Sequence, residues 1–152
     1  MIILGIDPGS SRIGFGIIDQ QRSGARCLAY GAINTPGIDR ADDLKYTATE
    51  LATLIKKYRP EQAVVEKLFF TKNQKTAMMV AETRGVILLT LANHAVAVQE
   101  ITPLQVKNSI AGYGQANKKQ MQRMVQMIFS LDKPITPDDA ADALALALCC
   151  VI

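Results

Sequence analysis

Four acidic residues stand where acids cost free energy. Asp7 closes the apolar run at residues 2–6, and Glu66 closes another at 63–65. Asp139 and Asp142 interrupt a C-terminal stretch made almost wholly of Ala and Leu. A lone carboxylate taken out of water costs several kcal/mol unless a cation or donors compensate it. Four of them, in a chain of net charge +3, point to a metal site. The only histidine is His94, and the cysteines are Cys27, Cys149 and Cys150. That set builds no His/Cys zinc cluster. Oxygen ligands favour Mg²⁺ or Mn²⁺.

The four acids are not equal signals. Asp7 lies in Gly5-Ile6-Asp7-Pro8-Gly9-Ser10, where an Asp can simply cap the turn. A turn of this kind also approaches phosphates in actin-type ATPases. Those proteins need two such domains, and 152 residues do not hold both. Glu66 has little structural excuse, since Glu is disfavoured in strands. Asp139 can serve a helix start, with Thr136 as N-cap and Pro137 at the first helical position. Asp142 lies one turn further in, on a helix apolar on all sides and therefore buried. Spaced by three, Asp139 and Asp142 share one helix face.

A second constellation follows Glu66 directly: Phe69-Phe70-Thr71-Lys72-Asn73-Gln74-Lys75. Two aromatics beside two lysines suit stacking on an unpaired base with phosphate contacts nearby. The competing role for at least one Phe is plugging the core. Further along stand Lys107, Lys118, Lys119 and Arg123. Most exposed helix charges are simply solvated.

Positioning these groups falls to a recognisable order of elements. Strands are expected at residues 2–7, 14–19 and 27–34, the first two as a hairpin. Residues 40–58 show helical periodicity through Leu44, Leu51, Leu54 and Ile55, ended by Pro60. A buried strand at 62–68 leads to a helix at 74–93 and a strand at 95–101. Helices at 103–111, 117–129 and 137–150 complete the chain. An antiparallel meander followed by alternating strands and helices predicts one mixed α/β sheet flanked by helices. Asp7 and Glu66 would then meet at one sheet end.

Composition excludes several classes. Hydrophobic residues make up 49% and charged residues 20%, as in a globular domain. Three cysteines form no disulfide framework, and reduced thiols in the cytoplasm are expected. No secretory signal opens the sequence, and its most apolar stretch is too short to span a membrane.

Taken in order, Gly-Ile-Asp-Pro-Gly at 5–9, Glu66-x-x-Phe69 with Lys72-Asn73, and Asp139-Ala-Ala-Asp142-Ala-Leu resemble RuvC-type Holliday junction resolvases. The likeness spans essentially the whole chain, including Lys107 and the Lys118 region. It implies a ribonuclease H-like fold with a five-stranded sheet, as a single nuclease domain over residues 1–152. It makes Asp7, Glu66, Asp139 and Asp142 the catalytic, metal-binding acids, with Asp7 bridging two ions. It assigns base stacking to Phe69, with Phe70 beside it. It also places Lys107 and Lys118 near the scissile phosphate, and Lys72, Lys75 and Lys119 are candidate DNA contacts.

The reaction so implied is Mg²⁺-dependent hydrolysis, with Mn²⁺ as substitute and two ions per site. It nicks two opposed strands of a four-way junction symmetrically, leaving 5′-phosphate and 3′-hydroxyl ends, in homologous recombination and DNA repair. The partners implied are a second copy of the chain, docked through the helix at 74–93, and a branch-migration helicase complex. Lys67 departs from the Gln often found there, and the sequence stops at Ile152, short of the family's usual tail. Two rivals share some of these features: a YqgF-like nuclease acting on RNA, and a module that binds branched DNA without cutting it.

Overall fold

The computed structural model describes residues 1–68 and 73–151. Among these, five strands form one sheet in the order β3-β2-β1-β4-β5. The strands are β1 (Ile2–Asp7), β2 (Arg12–Gln21), β3 (Gly24–Asn34), β4 (Gln62–Glu66) and β5 (Ala97–Ile101). β1 runs through the middle, antiparallel to β2 and parallel to β4. The β2–β3 hairpin is longer than the sequence pattern suggests and carries an irregularity at Ile17/Ile18. In contrast, β4 is shorter than expected. Its pairing ends at Glu66 opposite Ile101, because β5 itself ends there. The acid is thus the last strand residue.

Strand alternation divides the core in two. Leu4, Ile6, Val65 and Ile17 face α1 (Arg40–Tyr58) and α2 (Gln74–Asn93). Ile3, Ile18 and Val64 face α3 (Pro103–Ala111), α4 (Lys118–Ile128) and α5 (Asp138–Leu148). The expected helices are therefore all present. On α1, Leu51 and Ile55 are fully inward, whereas Leu44 and Leu54 are only partly covered. Asp39 caps the start of α1, and Arg59 ends it in the left-handed region just before Pro60. Capping boxes start α3 (Thr102/Gln105) and α4 (Asn117/Gln120). Among the described residues no helix is long and apolar enough to cross a membrane.

α5 lies directly on the sheet. Eight of its residues are buried: Ala140, Ala141, and Ala143 through Leu148. It comes this close because the strands beneath it carry glycine at Gly5, Gly14 and Gly16. A Cβ on Gly5 would sit 1.9 Å from the Ala143 carbonyl oxygen, and one on Gly14 would sit 2.0 Å from that of Asp139. Gly5 and Gly16 are cross-strand partners, as are Asp7 and Gly14. The start of α5 differs from expectation. Pro137, not Thr136, occupies the N-cap and supplies no side-chain cap. Asp138 and Asp139 still sit in the first turn, where the helix dipole favours anions.

Candidate active site

Alternation decides where the strand acids point. Asp7 shares a face with Ile3, and Glu66 shares one with Val64; both strand residues pack on the α5 side. β1 and β4 are neighbours in register, with Ile6 opposite Val65. Asp7 and Glu66 therefore stand side by side at one end of the sheet, beneath the start of α5. There the helix presents Asp139 and Asp142. Acids from three segments far apart in sequence thus share one corner.

All four are part-exposed rather than sealed in the core. The Asp139 and Asp142 side chains are 31% and 38% exposed. Cations already accompany the helix pair. Lys118 Nζ lies 3.5 Å from Asp138 Oδ2 and 3.4 Å from Asp142 Oδ2. Arg12 Nη1 lies 3.6 Å from Asp139 Oδ2. The compensating cation that Asp142 demands is therefore Lys118 in this structure. A lysine in the first turn of a helix opposes the dipole, so its place at the head of α4 answers the acids rather than α4 itself.

The electrostatics record the crowding. Burial pushes the Asp7 carboxyl up to about 7, helped by the negative charges of Glu66, Asp142 and Asp139 and opposed by Lys118. Burial, then Asp142, raises Glu66. Burial also raises Asp142, although Lys118 pulls the other way. For Lys118, burial alone would lower the pKa, but Asp142 and Asp138 outweigh it and raise it. Anions that resist ionising beside one another are the donor chemistry a hard divalent cation relieves. Among the described residues, however, no three acids are arranged closely enough to hold an ion together. With Asp142 drawn to Lys118 and Asp139 to Arg12, the set fits a metal in type and position but not yet in closure.

A cleft of about 230 Å³ opens beside the acids, lined by Glu66, Asp142, Lys107, Lys118, Val106 and Met121. Lys107 and Lys118 thus line the cleft beside the acids. Lys75 and Lys119 are exposed on the first turns of α2 and α4 and do not line this cleft. The stacking and contact roles expected of Phe69, Phe70 and Lys72 fall outside the described residues. Arg12, which no motif marked, is a site neighbour that sequence reasoning missed. Gly5, Gly14 and Gly16 were missed too, although glycines at alternate strand positions opposite an Ala-rich helix are a readable sign of close packing.

A mixed sheet with a central first strand, acids at its end and a partner pair on the last helix defines the ribonuclease H-like class of nucleases. The profile of the family described as crossover junction endodeoxyribonuclease RuvC matches residues 3–150. The chain belongs to the RuvC family. A relative from Halothermothrix orenii, named crossover junction endodeoxyribonuclease RuvC, is 48% identical over 98% of this chain and 91% of its own length. Another, from Heliobacterium modesticaldum, is 46% identical over 99% and 93%. The solved structure of T. thermophilus RuvC in complex with a Holliday junction substrate superposes with a TM-score of 0.91. It is 31% identical and is matched over 98% of this chain and 92% of that one. The yeast mitochondrial Holliday junction resolvase Ydc2, at 12% identity and a TM-score of 0.70, shares the fold. RuvC-family nucleases are metal-dependent.

Proposed function

We propose that the protein resolves Holliday junctions by metal-dependent nicking of two opposed strands, as one ribonuclease H-like nuclease domain over residues 1–152. The observation that carries this reading is the meeting of Asp7 and Glu66 with Asp139 and Asp142 at one corner. The resistance of Asp7 to ionising there adds to it. These four acids would hold Mg²⁺, with Mn²⁺ as substitute. The bound cation would supply a more acidic water and stabilise charge on the leaving oxygen.

The remaining roles belong to the chain's own groups. Carboxylates repel a phosphodiester, and Lys107 and Lys118 beside them offset that repulsion. Lys118 can pass from its carboxylate partners to the substrate phosphate as cation and DNA arrive. Phe69 and Phe70 stack on bases opened at the crossover, and Lys72, Lys75 and Lys119 hold neighbouring phosphates. Several such contacts make affinity fall steeply with salt.

Two cuts related by symmetry require two sites, and a C₂ homodimer supplies them. α2 offers the surface. Met78 and Leu89 are 66% and 62% exposed, and Ala81, Gly85 and Ala92 are exposed on the same helix. Among the described residues, a Cβ on Gly85 would meet nothing within 4 Å. A glycine in a helix interior costs about 1 kcal/mol relative to Ala, and the packing of the described residues gives no reason for it. Close approach by a second α2 does. Leu89→Glu is expected to sediment as a monomer and to lose paired nicking. A Leu89→Glu protein that remains a dimer would remove α2 as the interface.

The decisive test offers labelled four-way junction, linear duplex and structured RNA to the protein with Mg²⁺. Paired symmetric nicks in the junction alone are expected. Cleavage of RNA in preference would select the YqgF-like reading. Binding of the junction without cutting would select the non-catalytic module.

A further inference from the structure

Two arginines outside the carboxylate cluster converge on one stretch of α2. Arg40, the first residue of α1, donates from Nη1 to the Ser10 carbonyl at 2.8 Å. It donates from Nε to Glu82 Oε2 at 2.6 Å and from Nη2 to Thr83 Oγ1 at 2.8 Å. Its Nη2 also meets the Met79 carbonyl. Arg84, next along α2, pairs with Glu100 of β5 at 2.5 Å. Its Nε donates to the main-chain carbonyl of Glu66 at 3.4 Å. Both arginine side chains are largely shielded, at 25% and 19% exposure, where charge-assisted bonds gain strength.

The two attachments share a target. Ser10 lies three residues beyond Asp7, in the turn that carries β1 into β2. Glu66 is itself the end of β4. Residues 79–84 of α2 therefore grip the chain just past one strand acid and the backbone of the other. They do so from behind. Glu100 is opposite Val65, and Val65 packs on the α1–α2 side, whereas the carboxylates open toward α5. Arg40 and Arg84 thus reach the site through the carbonyls of Ser10 and Glu66, and Arg84 also lines a cleft of about 260 Å³ with Pro8 and Glu66 at the sheet end.

We propose that Arg40 and Arg84 are positioning residues that set the spacing of Asp7 and Glu66 from the far face of the sheet. This rests on the assignment of those acids as metal ligands above. A strand end that can drift presents its carboxylate at a variable distance, and a hard cation is intolerant of that. Supporting contacts around metal ligands are worth 10–100-fold in metal affinity or activity.

The test uses Arg84→Gln and Arg40→Gln, with Glu100→Gln and Glu82→Gln as variants that loosen each arginine without removing it. Mn²⁺ is titrated into DNA-free protein and followed by electron paramagnetic resonance. Junction cleavage is measured at saturating DNA across Mg²⁺ concentrations. Mn²⁺ affinity is expected to fall about tenfold, and the Mg²⁺ needed for half-maximal cleavage to rise equally. Junction affinity in EDTA should stay as in the wild type, and Arg84→Lys should recover part of the loss. If an arginine variant fails to fold, the exposed Glu100→Gln and Glu82→Gln carry the measurement. Wild-type Mn²⁺ affinity in all folded variants, beside an active wild type, overturns this inference alone. A wild type that neither binds Mn²⁺ nor cuts the junction overturns the proposed function with it.

Discussion

Asp7→Asn is expected to lower junction cleavage by about three orders of magnitude while making the metal-free protein more stable at pH 8. The first effect follows from the central place of Asp7 between Glu66 and the α5 pair. Metal-supplied charge stabilisation is worth several kcal/mol, and each ~1.4 kcal/mol is tenfold in rate. The second effect follows from the sign of its pKa shift. In the folded chain Asp7 holds its proton up to about pH 7, against an ordinary value of 3.8. The folded state therefore binds more protons than the unfolded state across that window. Stability is lost as pH rises from about 4 through 7, and the full penalty is present above 7. An Asn carries no such penalty. The shift from 3.8 to about 7 corresponds to at most ~4 kcal/mol, so the melting-temperature gain of Asp7→Asn should reach up to roughly 8–16 °C at pH 8, taking ~2–4 °C per kcal/mol for a chain of this size, and should vanish toward pH 4. Saturating Mg²⁺ should raise the wild-type melting temperature more than that of the variant, since a cation bound only by the folded state stabilises it. Thermal melts at pH 4, 6 and 8, with EDTA and with Mg²⁺, decide the matter. A metal-free Asp7→Asn less stable than the wild type at pH 8 would mean the acids do not strain one another.

The acids were legible in the sequence because each breaks a local rule. Glu66 ends a strand made of residues that bury, and Asp142 interrupts an Ala/Leu helix; neither is explained by its neighbours. Their meeting was legible through alternation, since period two sends Asp7 and Glu66 to the α5 face. Element order was legible for the same reason, down to the mixed sheet. Less legible were ends set by partners. β4 stops at Glu66 because β5 stops at Ile101, a limit written in another strand. The expectation of Thr136 as N-cap failed because local pattern alone cannot say which residue leaves the helical region. The pairing of Lys118 with Asp138 and Asp142, and of Arg12 with Asp139, joins segments remote in sequence; no spacing announces it. The grip of Arg40 on Ser10, Met79, Glu82 and Thr83 is hidden in the same way.

Gly14→Ala is expected to damage cleavage out of proportion to its cost in stability, and Gly5→Ala to do the reverse. Both methyl groups would enter space held by α5 backbone, not by a flexible side chain. At Gly5 the new atom meets the Ala143 carbonyl oxygen at 1.9 Å and the Ala147 amide at 2.8 Å. That contact lies in the middle of the helix, so the whole element must lift from β1. At Gly14 it meets the Asp139 carbonyl oxygen at 2.0 Å and the Asp139 Cβ at 2.9 Å. There only the first turn need yield, but that turn carries the acid. Overpacking of this kind costs about 1–3 kcal/mol, or roughly 2–12 °C in melting temperature, with Gly5→Ala at the upper end. A displacement of about 1 Å at a reacting group can cost ~100-fold in rate, and Gly14→Ala should show that loss in single-turnover cleavage while still melting cooperatively. Gly5→Ala, measured well below its melting temperature, should lose less, because its strain is spread along α5 rather than placed on Asp139. Equal cleavage by the two variants would show that Gly14 serves packing alone. A hundredfold deficit confined to Gly14→Ala would show that the missing side chain on β2 sets how closely Asp139 approaches Asp7, the register partner of Gly14 on β1.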